Sequence, residues 1–293
     1  MNAAARLALF AAALSGVFGA AVLVGGVVGP AGGVAPAGAA GAGAEHQRAE
    51  HGATGHPAAA PAGSLPGLQI AQDGYRLLID RTLYPQGVQT LTFRITGPSG
   101  AVVHEFAETH TKRLHLIVAR RDLATFEHLH PGLAPDGTWT GRADLRRAGA
   151  YRVFADFSTG GKALTLGADL DVAGAYDPAV LPAPAATART RDGLEVTLRG
   201  GGTLPAGREQ RSVFDIRAQG RPVDSELDPY LGAQGHLVAL RAGDLAYLHT
   251  HPEDGDRLTF MTDYPSPGSY RLWVQFSYRG RVQTAAFTQE VTR

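Results

Sequence analysis

The sequence contains no cysteine. That absence excludes a disulfide scaffold, thiolate zinc sites, iron–sulfur clusters and a cysteine nucleophile. Methionine is almost missing too. Met1 and Met261 are the only two, which excludes a methionine-rich Cu(I) site. Neither charge is in excess, since 27 Lys+Arg meet 27 Asp+Glu. Such a balance suits neither a strongly basic nucleic-acid binder nor a protein with a polyacidic tail. No serine nucleophile elbow, P-loop or dinucleotide fingerprint occurs. Gly200–Gly202 is a bare glycine run without a following Lys-Ser/Thr, and reads as a turn. No segment after residue 64 carries a sustained helical period with caps.

What the 293 residues do contain is histidine, 11 in all, unevenly placed. The N-terminal part holds few clues to a fold. Leu7–Gly29 is an uncharged, mostly apolar run after a single Arg6. It is close to the ~20 residues that span a bilayer and longer than the ~7–15 of a signal-peptide core. Two readings stay open for residues 1–29: an uncleaved membrane anchor, or a long secretory signal removed near Ala42-Gly43-Ala44. A positive charge kept on the cytoplasmic side puts the rest of the chain outside in either case. Residues 30–66 read as a flexible Ala/Gly/Pro tether carrying His46, His51 and His56. An extracytoplasmic chain without cysteine then depends on its apolar core alone.

From residue 67 the pattern changes to short apolar runs with β-branched and aromatic residues, separated by Gly, Pro and Asp. Tyr75–Ile79, Gln89–Ile95, Arg113–Ala119, Tyr151–Phe157 and Leu164–Val172 read as strands, which indicates an all-β sandwich or barrel. The organisation is settled by an internal repeat. His115, His128, His130-Pro131, Asp136-Gly137 and Gly149-Ala-Tyr151-Arg152 recur in order as His236, His249, His251-Pro252, Asp254-Gly255 and Gly268-Ser-Tyr270-Arg271. The predicted domains are therefore 67–174 and 191–293, joined by a Pro/Ala linker at 175–190. The aromatic sets Tyr151/Phe154/Phe157 and Tyr270/Trp273/Phe276 fall on predicted strands in both units. They are expected in cores and on sheet faces.

Each unit repeats H-x12-H-x-H-P. A two-residue turn at Arg121-Asp122, or at Ala242-Gly243, would pair position 115 with 128 and 236 with 249. Opposed residues share a face, as do residues i and i+2. His115, His128 and His130 would then converge, and so would His236, His249 and His251. Ile117, Phe126, Val238 and Tyr247 share that face, which suggests that it points inward with the histidines at the rim of the core. Three imidazoles at one spot suit Cu(II), Zn(II) or Ni(II), with water or a carboxylate as a further ligand. Carboxylate candidates are Glu108 and Glu127 in the first unit, and Asp228 and Glu253 in the second. His104 and His110 have no counterparts in the second unit and read as surface residues. The same triplets also fit structural histidines at a sandwich edge.

Arg113–Leu123, His128–Pro131 and Tyr230–Arg241 carry a resemblance to a group of actinobacterial secreted or membrane-anchored proteins with the same two-part frame. More distantly, each unit resembles the small immunoglobulin-like β-sandwich domains of the YtkA type and the CopC type. This resemblance implies two tandem immunoglobulin-like sandwiches and an envelope-located role in handling Cu(II) or Zn(II) through the six paired histidines. Two other functions remain open. One is an envelope protein-interaction or cell-wall-binding module in which the histidines are structural. The other is a cupin-like metalloenzyme, although no later histidines follow His251 to complete such a site.

Overall fold

The computed structural model describes residues 65–248, 250–253 and 258–293. The expected hydrophobic helix and most of the tether lie outside these residues. Among the described residues, no helix is long and apolar enough to cross a membrane.

The first repeat contains β1 (Ala71–Gln72), β2 (Tyr75–Ile79), β3 (Leu83–Tyr84), β4 (Gly87–Thr96) and β5 (Leu114–Arg120). It continues with β6 (Phe126–Leu129), β7 (Gly132–Leu133), β8 (Trp139–Leu145), β9 (Gly149–Thr159) and β10 (Lys162–Val172). One sheet has the order β1-β2-β4-β8-β7 and the other β3-β10-β9-β5-β6. All neighbours are antiparallel except β3, which runs parallel to β10. In chain order this is the A-B-E-D sheet and the G-F-C-C′ sheet of an immunoglobulin sandwich.

The second repeat builds the same plan. Its strands begin with β11 (Thr187–Arg189), β12 (Glu195–Arg199), β13 (Leu204–Pro205), β14 (Glu209–Ala218), β15 (Arg221–Pro222) and β16 (Leu227–Asp228). Then come β17 (Gly235–Arg241), β18 (Tyr247–Leu248), β19 (Thr250–Pro252), β20 (Leu258–Asp263), β21 (Gly268–Tyr278) and β22 (Arg281–Thr292). The sheets run β11-β12-β14-β20-β19 and β13-β22-β21-β17-β18.

A tyrosine closes each sandwich at the start of its F strand. Tyr151 Oη donates to Arg147 O at 2.8 Å, and Tyr270 Oη donates to Ser266 O at 2.7 Å. This is the tyrosine corner of immunoglobulin folds. Two residues on, where antibody domains carry their F-strand cysteine, stand Val153 and Leu272, both in the cores. Apolar packing holds the two sheets together where a disulfide otherwise would. Leu116, Val118 and Trp139 belong to the first core, and Leu237, Phe260 and Phe287 to the second.

A third apolar cluster lies between the sandwiches. Ile117, Ala119, Leu123 and Phe154 of the first pack with Val238, Leu240, Leu245, Tyr247 and Trp273 of the second. Phe126 stacks on Trp273, with centroids 4.5 Å apart and 9° between planes. The face expected to point into each sandwich's own core therefore points at the other sandwich. Leu114, Leu116 and Val118, on the alternate face of β5, fill the first core instead.

Two flanking segments tie this junction down. Arg152 donates from Nε to Gly67 O and from Nη2 to Leu68 O, while Tyr247 N donates to Pro66 O at 3.0 Å. The stretch before β1 is thus held by both sandwiches. On the linker side, buried Arg120 donates to Asp177 O at 2.7 Å, and its guanidinium lies over the Tyr176 ring.

Candidate metal centre

The hairpin that carries the first triplet differs from the expected one by two residues. Ile117 faces His128 and Leu116 faces Leu129. The loop holds four residues, closed by Arg120 N–H to Thr125 O at 3.2 Å. Asp122 Oδ1 accepts from Ala124 N, and Leu123 adopts φ of 60°, so the chain needs the longer loop. A shift of two preserves the face, whereas a shift of one would have scattered the histidines. His115 and His128 do converge.

The second hairpin behaves differently. Ala239 faces Leu248, after which the chain leaves this sheet and joins the opposite one as β19. Leu237 O, whose counterpart Leu116 pairs with Leu129 in the first unit, accepts from the Thr250 hydroxyl at 2.6 Å. That side-chain bond stands where a backbone ladder bond would, and β19 stays beside β17 while its backbone pairs with β20. His251 consequently sits exposed on β19, and His249 lies outside the described residues.

His236 on β17 meets the first triplet across the junction. Ligand nitrogens of His115, His128 and His236 all lie within 4.8 Å of one another. The His115 and His236 rings stack nearly parallel, 8° between planes and 5.3 Å between centroids. His130 is 4.8 Å from His128 and 5.1 Å from His115, ring to ring, and its Nε2 is buried without a hydrogen-bond partner. His110, expected at the surface, packs its ring 5.4 Å from that of His236. His104 is exposed.

Hydrogen bonds fix the two central rings. His115 Nε2–H donates to Thr109 O at 3.0 Å, and His128 Nδ1–H donates to Gln275 Oε1 at 2.7 Å. Gln275 is oriented by donating its own Nε2–H to Thr284 Oγ1. The remaining nitrogens, His115 Nδ1 and His128 Nε2, face each other at 2.9 Å. Asp156 lies opposite His115 in the sheet, and Gln275 lies opposite His236. The duplicated frame thus puts one polar side chain beside each leading histidine, at the same position of each F strand. Neither Asp156 nor Gln275 stands out from spacing alone. The repeat alignment of Tyr151–Phe157 with Tyr270–Phe276 is the signal that would have found them.

None of the four carboxylates proposed from sequence reaches the cluster. Glu108 is exposed, and Glu127 sits on the other face of β6 beside Asp144. Asp228 accepts from Ser277 and Gly280 N, while Glu253 pairs with Arg211 at 2.6 Å.

Burial, reinforced by mutual repulsion, holds the imidazoles neutral. The pKa of His128 is pushed down to about 3 and that of His130 to about 4, in both cases mainly by desolvation. Burial also lowers His115 and His236 and raises the Asp156 carboxyl. Neutral rings are the ligand form of histidine. In the unfolded chain these histidines titrate near 6.5, so below that pH the unfolded state binds protons that the native state refuses. Their contribution to stability is complete above pH ~6.5 and is lost as pH falls toward 4 and then 3, with Asp156 offsetting part of it. For His128 alone, moving from pH 6.5 to 5 costs about 2 kcal/mol. The metal-free protein is therefore expected to melt at a clearly lower temperature at pH 5 than at pH 7.5. A flat profile between those values would mean that the rings titrate normally.

No curated protein matches the chain. Among solved structures it is similar to a chimeric titin Z1Z2–Z1Z2 tandem, at 13% identity over 74% of this chain and 97% of that one, with a TM-score of 0.20. The titin I-band fragment I67–I69 gives 12% identity over 73% and 65%, with a TM-score of 0.20. Domains 5–6 of the S-layer protein SbsC give 11% over 73% and 95%, with a TM-score of 0.21. None of these likenesses bears on what the chain binds. The duplicated frame has a direct counterpart among family models: residues 70–174 and 188–293, together well over half of the sequence, both match "Domain of unknown function (DUF8832)", and the chain belongs to that family.

Proposed function

We propose that the chain binds one divalent metal ion at the junction of its sandwiches, through His115 Nδ1, His128 Nε2 and His236. The observation that carries this reading is the facing pair of nitrogens at 2.9 Å. In the tautomer where His115 Nε2–H donates to Thr109 O and His128 Nδ1–H to Gln275 Oε1, the two neutral rings aim lone pairs at one another. Two acceptors at that distance repel. A shared proton would relieve them, but burial pushes the pKa of His128 down to about 3, so the ring stays neutral near pH 7. A metal ion accepts both lone pairs at once. A ligating histidine that donates its outer N–H to a carbonyl is also the usual arrangement around bound metals.

The donor set supports Cu(II) or Zn(II), being imidazole without thiolate. The resemblance to YtkA-type and CopC-type domains supports a role in envelope metal buffering or delivery. The apolar run Leu7–Gly29 supports placement outside the cytoplasmic membrane. Equilibrium dialysis of the metal-stripped chain against Cu(II) is expected to load one ion and to raise the melting temperature. No loading, with an unchanged melting temperature, would return the histidines to a structural role in an envelope interaction module.

A further inference from the structure

Beside the histidine cluster lies a cavity of about 420 Å³, with His115 and His236 in its lining. That volume is in the range of small-molecule sites. The cavity also receives Asp156, which Thr165 Oγ1 holds by a hydrogen bond at 3.0 Å. Three cations, Lys112, Arg113 and Lys162, also line it, as do His110 and His251. Lys162 stands 3.9 Å from Asp73, a long contact, and Lys112 and Arg113 have no ion-pair partner among the described residues. Asp156 is the one carboxylate in this lining, against three cationic side chains.

This electrostatic arrangement is at odds with a site meant for a bare dication. Positive side chains in a cleft raise the local concentration of anions and lower that of free metal ions. Three histidines also leave coordination positions open on a Cu(II) ion. Of the three ligands, His115 and His236 line the cavity and His128 lies behind them, so the two features agree if the ion is reached from the cavity together with an anion. We propose that the cavity binds a small dicarboxylate whose inner oxygens complete the metal's coordination, while its outer oxygens meet Lys112, Arg113 and Lys162. This inference rests on the metal reading given above. It assigns the chain a ternary complex of protein, metal and dianion, so that metal is taken up and released as an anionic chelate. Arg and Lys are the residue types suited to a carboxylate at such a mouth, Arg through paired donors and Lys as a point charge.

The test uses the full chain, Cu(II) and radiolabelled malonate, with Cu(II) alone measured first. The copper-loaded protein is expected to retain one malonate per copper through gel filtration, and the metal-free protein to hold it at least tenfold more weakly. The triple variant Lys112→Ala/Arg113→Ala/Lys162→Ala should bind Cu(II) alone within about threefold of the parent and lose malonate retention at least tenfold. These side chains lie outside both cores, and an unchanged melting temperature for the variant checks its fold. Failure of the parent to bind Cu(II) alone overturns the metal reading, and the ternary complex with it. Intact copper binding with no malonate retained, or with equal retention by the triple variant, overturns the ternary complex alone. Malonate that strips copper from parent and variant at the same concentration does so too.

Discussion

His236→Ala is expected to weaken Cu(II) binding by on the order of 100-fold or more, as much as His128→Ala does, although the two residues belong to different sandwiches. The expectation follows from one shared site whose three ligand nitrogens lie within 4.8 Å of one another. Loss of an outer-shell partner alone typically costs 10–100-fold, so loss of a ligand is placed at the top of that range or above it. His251→Ala should change the affinity less than His236→Ala does, since His251 lines the same cavity but is outside the trio. Two independent sites, one per repeat, would behave differently. The parent would then load two ions, and each single substitution would leave the other site at full affinity. Isothermal titration of the parent and the three variants separates these cases by stoichiometry as well as by affinity. A parent that loads two ions, with one retained in His236→Ala, would sink the shared site.

The duplication, the strands and the three-His spacing were legible in the sequence because each is a local pattern. The location of the site was not, because it depends on which way a strand face points. The spacing correctly put His115, His128 and Ile117 on one face, and the neighbouring apolar residues suggested that this face looks inward. A second cue lay in the same strands. Leu114–Arg120 is buried at every position, and most of Gly149–Thr159 is buried as well. A run that is apolar at successive positions marks a strand covered on both sides. One side is covered by the sandwich's own core and the other by the second sandwich. That doubling turns two rims into one junction. The fate of the second triplet was hidden for another reason. Thr250 gives its hydroxyl, not its backbone, to Leu237 O, and Thr250–Pro252 pair with β20 instead of β17, which no local pattern in the sequence marks. His110 was hidden because it stands in a loop without a repeat partner, and only the fold brings it near His236.

Trp273→Ala is the second large effect expected, because it acts on stability and on the site together. Trp273 is 5% exposed and packs in the cluster between the sandwiches, stacked on Phe126. Truncating a buried tryptophan costs about 3–5 kcal/mol, since the cavity left behind collapses only in part. For a structured region of this size that corresponds to a fall in melting temperature of roughly 10 °C. A comparison with Trp139→Ala isolates the junction. Trp139 is equally buried, but it belongs to the core of the first sandwich and stacks on Phe93. Both variants should lose comparable stability. Only Trp273→Ala should also weaken Cu(II) binding, because it loosens the contact that holds His236 against His115 and His128. By the same linkage, saturating Cu(II) should recover more stability in the parent than in Trp273→Ala, since bound metal stabilises by RT ln(1 + [L]/Kd). If both tryptophan variants keep the parent's copper affinity, the histidines of the two sandwiches are not ligands of a common ion.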